Sequence, residues 1–434
     1  MSHLLFVETT GLGVQALAHA KRSGHTVTYL HCPLYDFTAT PDQRRQAVRL
    51  ADHTAAFTDP LDGDTVYAAL LASGADPAGV DAVLSTLSYG AQAAADLAAR
   101  IGARGTSPAG TLAARDKGEC RRILHARGVP SVGFRVVTDA AEALEAAEAI
   151  GYPVIVKPVL GIGKAVTSIA HDPLAVRAHF AAAAADRDGL TEGMAHQLDE
   201  RYLVEELVSG DLYSVEVAAS QGRLVPLVCA SRKVSRENPV LELGCTVPSG
   251  LPATDEAALG RYAVQVCRAL GLDLGIFHVE VMHTPSGFRL IEVNPRLTGG
   301  SLPDTISSVA GVDVFALLVD LFLGAPLPDG PLPLKGSASH SFLAAPKKST
   351  VPAQLPDTWF TPFRARLHSG YARVHAGDEV PPMRTNFDSF GMLRALAPTP
   401  AEAEAACTAV KADIETLFGF PLLAEHTRTP APVA

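Results

Sequence analysis

Two glutamates, Glu280 and Glu292, lie in two runs of alternating side chains, Phe277 to Met282 and Phe288 to Asn294, separated by His283-Thr284-Pro285-Ser286-Gly287. This pattern predicts a β-hairpin with its turn at Pro285-Ser286-Gly287. Alternate side chains of a strand share a face. Phe277, Val279, Val281, Ile291 and Val293 are therefore expected in a core, with His278, Glu280, Glu292 and Asn294 on the opposite face. A pairing centred on Ser286 sets Glu280 directly across from Glu292. Like charges so opposed destabilise a sheet, and a cation between them relieves the repulsion. Two carboxylates and an amide carbonyl are hard oxygen donors that suit Mg²⁺ bridging phosphates, with Mn²⁺ as the alternative. The solvated outer face of an ordinary hairpin accounts for these residues equally well, so the hairpin alone does not decide.

Other segments offer phosphate and base chemistry. Gly161-Ile162-Gly163-Lys164-Ala165 follows an apolar strand and has the look of a phosphate loop. It is not a Walker A loop, because Ala165 follows the lysine, Pro158 stands where a glycine belongs, and the text after it alternates like a strand. A hairpin whose amides and Lys164 close over a triphosphate is one reading, and a plain β-turn is the other. Lys157 ends an otherwise apolar strand, where a snorkelling edge lysine is common. With Lys117 it could clamp two phosphates. Glu205 and Glu206 interrupt the apolar run from Tyr202 to Val208 and point to opposite faces, so that one could accept from an adenine amino group.

The elements that must hold these groups divide the chain into three regions. Residues 3–8 alternate as a strand, 13–22 as a helix and 25–30 as a second strand, which is the start of a parallel α/β sheet. Gly11-Leu12-Gly13-Val14-Gln15-Ala16 between them fits the loose G-x-G-x-x-A pattern. A nicotinamide site wants an acid at the end of the second strand, where this chain has His31-Cys32-Pro33, so a tight βα turn is the favoured reading. A helix is expected from Lys117 toward Gly128, another over 139–150 closed by Gly151, and alternating strands from there to about 294. Pro- and Gly-rich text at 324–336 marks a boundary, and the remainder mixes short strands with a helix over 399–418.

Bulk properties exclude several classes. The 434 residues suffice for two or three domains. The net charge of −10 offers no basic field for nucleic acid or an anionic membrane. The 6 cysteines form no C-x-x-C pair, against a zinc site or disulfide framework. The first residues lack a basic segment followed by a long apolar one, and no apolar run reaches membrane-spanning length, so a cytoplasmic protein is expected.

The order of the motifs is more telling than any one of them. Lys117, Lys157, the glycine loop, Glu205-Glu206-Leu207-Val208, Glu216, His278-Val279-Glu280 and Glu292-Val293-Asn294-Pro295-Arg296-Leu297-Thr298-Gly299-Gly300 together closely resemble the ATP-grasp superfamily over roughly residues 114–320. The resemblance implies a Rossmann-like domain over 1–112, a two-subdomain ATP-grasp core over 113–325 and a small closing α+β domain over 326–434, hence α/β and α+β classes combined. It implies ATP between the subdomains, with Glu280, Glu292 and Asn294 as Mg²⁺ ligands. Lys117, Lys157 and the loop Gly161, Gly163 and Lys164 are then on the phosphates, and Glu205 through Val208 on adenine. Asp211 or Glu216 falls toward ribose or metal. Arg296 would neutralise the transferred phosphoryl group, a role for a planar permanent cation.

The text from Arg232-Lys233 to Ser249 is similar to the substrate loop of L-amino acid ligases. Glu242 is thereby implied to hold an α-ammonium group, and Cys245 stands where those enzymes have histidine. His278, Gly299 and Gly300 join Glu242 and Cys245 as candidate substrate contacts. The implied activity is ATP-dependent ligation of a carboxylate to an amine through an acyl-phosphate, in a homodimer acting on small molecules. Alternatives are a biotin-carboxylase-like or purine-pathway enzyme and a non-catalytic ATP-binding regulator.

Overall fold

The computed structural model describes residues 1–161 and 163–426; the Ile162 position of the glycine loop lies outside them. Strand His3–Val7 is flanked in parallel by Thr26–His31 on one side and Ala82–Leu84 on the other, and His53–Ala56 extends the first side. Helix Val14–Arg22 buries Val14, Ala16, Leu17 and Ala20, the spacing of one helical face. A Cβ on Gly13 would stand 2.0 Å from the Thr86 hydroxyl. The glycines of this turn thus permit close packing, which is the reading favoured for them. The next helix, Ser88–Ile101, ends at Gly102 in the left-handed conformation.

A second sheet is antiparallel, in the order Phe134–Val137, Tyr202–Glu206, Val154–Pro158, Ser168–Ala170. The last two strands form the expected hairpin around the glycine loop, with Val156 opposite Ser168. The third sheet has nine strands. Its backbone is Gly287–Asn294, Gly275–Thr284, Asp211–Ser220, Arg223–Ser235 and Glu242–Val247. Helix Ala253–Leu270 covers it, with Leu259, Tyr262, Ala263, Val266, Cys267 and Leu270 buried among Val215, Val217, Phe277 and Val279.

Three features depart from the reading of the sequence. Helices Pro173–Asp188 and Ala253–Leu270 lie in the stretch expected to be mainly strands. Strand Ser337–Leu343 pairs with Glu242–Val247, and Gly391–Ala397 and Ser369–Ala372 follow, so residues beyond 326 extend the third sheet. Helix Pro400–Phe418 behaves as expected, opened by a capping box of Thr399 and Glu402.

The third departure is in the hairpin itself. Thr284 pairs with Gly287, so the turn is tighter than a pairing centred on Ser286. A bulge between Glu280 and Val281 then restores Glu280 opposite Glu292 and sets Val281 against Leu290. The extra residue of a bulge shifts side chains to the other face. Leu290 is fully buried in the core, and Ile291, expected there, lines the cleft instead. Among the described residues no single helix is long and apolar enough to cross a membrane.

Candidate active site

A cavity of about 450 Å³ lies between the second and third sheets, a size typical of small-molecule sites. Its lining includes Lys117, Lys157, Gly161, Gly163, Lys164, Glu205, Glu206, Leu207, Val208, Asp211, Glu242 and Glu292. Val132, Ile155, Ile169, Met282 and Ile291 supply apolar walls. One end is therefore fit for a flat apolar ring and the other is densely charged.

Glu205 is the hub of the first wall. It accepts from Arg121 Nε at 2.7 Å and from Lys157 Nζ at 2.5 Å. Burial pushes its carboxyl up, but the two cations hold it below the ordinary carboxylate range. Burial lowers Lys157, and Glu205 only partly offsets it. Arg121 is buried on the inner face of helix Lys117–Ala126 and also donates from Nη2 to Ile291 O at 2.6 Å. One guanidinium thus ties the second sheet to the bulged hairpin of the third. Glu206 is exposed and accepts from Gly133 N–H at 3.2 Å. Opposite faces are as expected; the carboxylate of Glu205 is engaged by cations.

Lys117 begins its helix, whose N-terminus is capped by Asp116. Its ammonium lies 3.2 Å from Glu292 Oε1 and donates to Gly161 O. Lys164 is brought to the acids: its Nζ is 3.2 Å from Glu242 Oε1, 3.3 Å from Glu280 Oε2 and 3.8 Å from Glu292 Oε2. Burial lowers the Lys164 ammonium, but the three carboxylates outweigh it and raise it. Lys164 has φ +65°, a left-handed conformation that costs a non-glycine residue about 1 kcal/mol. Arg232 also pairs with Glu242.

Behind the acids runs a buried relay. Glu216 Oε1 meets His278 Nδ1 at 2.5 Å, and His278 Nε2 lies 3.4 Å from Glu280 Oε1. Burial alone would lower the imidazole; Glu216 and Glu280 overcome it and raise it to about 9. His278 is therefore cationic at neutral pH and fixes Glu280. The second oxygen of Glu216 accepts from Thr298 N–H at 3.1 Å. Both residues support the wall of the site instead of lining its cavity.

Arg296 donates to Ser88 Oγ at 2.6 Å and to its neighbour's carbonyl, Leu297 O, at 2.8 Å. Asn294 Oδ1 accepts from Ser88 Oγ at 3.2 Å and from Arg296 at 3.4 Å. Arg296, two residues beyond strand Gly287–Asn294, is thus anchored to the first turn of Ser88–Ile101, in the N-terminal region. Gly299 faces the Arg296 guanidinium, to which a Cβ there would come within 3.6 Å. Gly300, with φ +59°, is exposed. Cys245 is fully buried opposite His340, with Sγ 3.3 Å from Nδ1. Burial raises its thiol to about 11 and drops His340 well below its ordinary value, so the pair is neutral and lies outside the cavity.

Residues 150–304 match the ATP-grasp domain family. The chain carries an ATP-grasp domain. It is 34% identical to carnosine synthase 1 of Gallus gallus over 208 residues, which are 46% of this chain and 22% of that protein. It is 30% identical to the D-alanine–D-alanine ligase of Ectopseudomonas mendocina over 224 residues, 48% of this chain and 65% of the ligase. The chain spans between a fifth and a third of the length of the two carnosine synthases from Gallus gallus and Homo sapiens. The crystal structure of L-amino acid ligase from Bacillus licheniformis superposes with a TM-score of 0.74 at 17% identity, over 94% of this chain and 97% of that one. The likeness extends the shared fold to the regions flanking the ATP-grasp domain.

The donor set fits a divalent cation by chemistry: Glu280 and Glu292 are cross-strand neighbours, with Asn294 next on the same strand and Glu242 facing them through Lys164. Among the described residues no three acidic, histidine or cysteine side chains stand at metal-ligand spacing; the Lys164 ammonium lies among the carboxylates. Residues that the sequence did not single out are Arg121, Arg232 as a partner of Glu242, and Ser88. Arg121 follows Lys117 by four positions on a helix otherwise burying Gly118, Cys120 and Leu124, and that spacing was its signal. Ser88 carried none, because it enters from a distant segment.

Proposed function

We propose that this protein is an ADP-forming carboxylate–amine ligase acting on amino-acid-like substrates. The observation that carries the reading is the convergence of Lys117, Lys157, Lys164, Glu242 and Glu292 on one cleft with apolar walls, with Glu280 directly across the hairpin from Glu292. ATP would bind with its base against Ile155, Ile169 and Met282 and its phosphates toward Lys117 and Lys157. Glu280 and Glu292, with Asn294, would hold Mg²⁺, which when bound neutralises phosphate charge and orients the γ-phosphate.

A substrate carboxylate oxygen attacks the γ-phosphorus, the bond to the bridging oxygen breaks, and ADP leaves. Arg296 is fixed by Ser88 and Leu297 O, so its charge is in place without reorganisation as negative charge shifts in the transition state. The amine then attacks the acyl carbon of the acyl-phosphate, loses a proton, and expels phosphate. The glycine loop shields this intermediate from water. Glu242, kept ionised by Arg232 and Lys164, is suited to an ammonium group. The names of the relatives support amino-acid substrates, since two of them are ligases of D-alanine and of L-amino acids.

The test is an ADP-release screen over pairs of amino acids, with mass spectrometry of the products. ADP with a condensed product is expected. Release of AMP, or of ADP only with bicarbonate, would overturn the reading.

A further inference from the structure

Lys164 is the cation shared by three carboxylates, and it is the one that can leave. Each acid has another partner from the body of the fold: Glu242 has Arg232, Glu280 has His278, and Glu292 has Lys117. Lys164 instead arrives on the glycine loop, where Gly163, Lys164 and Val166 all have positive φ. Contacts from the C-terminal region seat that loop. Asn386 N–H donates to Gly163 O, and Asn386 Oδ1 accepts from Glu242 N–H at 3.1 Å. The Phe387 ring packs so closely that a Cβ on Gly163 would stand 2.4 Å from it. The loop is thereby held with its ammonium at the place where a cation between Glu280 and Glu292 is needed.

We propose that Lys164 makes the metal site selective for nucleotide-bound metal over the free ion. The proposal rests on the reading of Glu280 and Glu292 as metal ligands. A free divalent cation entering the cleft must expel the Lys164 ammonium from its three counter-charges. It would leave that ammonium in a cleft that already holds Lys117 and Lys157, where like charges oppose it. A nucleotide changes the balance, because its phosphates give Lys164 new anionic partners as the metal takes the carboxylates. The residue that guards the empty site thus becomes a phosphate ligand of the loaded one. This also reconciles the phosphate role expected from the glycine loop with the position that Lys164 occupies among the acids. If the ammonium-in state holds about nine-tenths of the molecules, free-metal affinity falls about tenfold.

The experiment measures Mn²⁺ binding by loss and broadening of its electron paramagnetic resonance signal, on the full chain, with and without a non-hydrolysable ATP analogue. Without nucleotide, Lys164→Met is expected to bind Mn²⁺ about tenfold or more tightly than wild type. Lys164→Arg, which keeps the charge, is expected to stay near wild type. With the analogue, the wild-type protein is expected to bind Mn²⁺ strongly. Equal binding by wild type and Lys164→Met without nucleotide, with analogue-dependent binding intact, overturns the proposal and leaves the metal reading standing. No protein-dependent signal change in either protein even with the analogue overturns the metal reading, and this proposal with it.

Discussion

Two regions of this molecule bury carboxyl groups, and they treat them in opposite ways. Glu8 directly follows the first strand of the parallel sheet, 3% exposed, accepting a hydrogen bond from Cys32 N–H. Burial pushes it up to about 8, beyond what the Cys32 and Thr9 amides restore, and Asp36 adds to the rise. Glu292 in the cleft also feels burial, yet Lys117, Lys164 and Lys157 hold it down at about 2. Glu242 and Glu280 are likewise kept below the carboxylate range. Burial is common to both regions; the supply of cations differs. A buried acid without a cation partner takes a proton, and one with such partners stays charged. The cleft therefore keeps ionised oxygens ready for a cation. The strand end in the N-terminal region, where open parallel sheets often bind ligands, holds a carboxyl that is neutral over most of the physiological range.

The comparison is broken most severely by taking an acid out of the cleft. Glu292→Ala removes the partner shared by Lys117 and Lys164. ADP release is expected to fall by at least about a thousandfold, the scale of losing a principal electrostatic element of a transition state. Circular dichroism is expected to stay close to wild type, because the hairpin pairing is made by the backbone, while the urea midpoint falls as Lys117 and Lys164 lose a buried counter-charge. Substantial turnover in this variant would remove Glu292 from the catalytic role.

A smaller effect is expected from the cation side. Arg121→Met leaves Glu205 with Lys157 alone and frees Ile291 O at the bulge. Removing one member of a buried ionic group costs about 3 kcal/mol, so the urea midpoint should drop and ATP affinity should weaken with it. An unchanged midpoint would mean that Lys157 suffices to hold Glu205. Arg121→Lys, which lacks the planar fork, is expected to recover charge compensation and only part of the stability.

The acids were easier to find in the sequence than the cations that govern them. Alternation with a period of two anticipated Glu280 opposite Glu292, a pairing that the fold reaches through a bulge, and Lys117, Lys157 and Glu205, taken from their order along the chain, line one cleft. The bulge was not legible, since nothing in Ile291 or Leu290 says which of two apolar residues turns inward; the pairing with Val281 decides it. Lys164 was read from its loop as a phosphate contact, because a loop sequence does not reveal which acids a fold will bring beneath it. Ser88 lies 208 positions from the Arg296 that it anchors, a partnership set by packing of the N-terminal region on the hairpin strand. Helix Ala253–Leu270 did have a readable period in Leu259, Ala263, Val266 and Leu270, but it lies in a stretch dominated by strands.

The smallest expected effect tests the other half of the comparison. Glu8 has a folded value of about 8 against an ordinary 4.5, so between these values the folded protein binds more protons than the unfolded one. Stability then falls as pH rises through that window, with a slope of at most about 1.4 kcal/mol per pH unit. Glu8→Gln keeps the shape and cannot ionise. It is expected to flatten the decline of the urea midpoint between pH 5 and pH 8, and to be more stable than wild type at the upper end. His278 works in the same direction at higher pH: its raised value of about 9 makes its contribution complete below 6.5 and lost as pH climbs through 9. The diagnostic window for Glu8 therefore lies below pH 6.5, where His278 is charged in both the folded and the unfolded state. A Glu8→Gln variant whose midpoint follows the wild-type pH profile there would show that Glu8 is ionised in the folded protein, and that the cleft is not alone in keeping its acids charged.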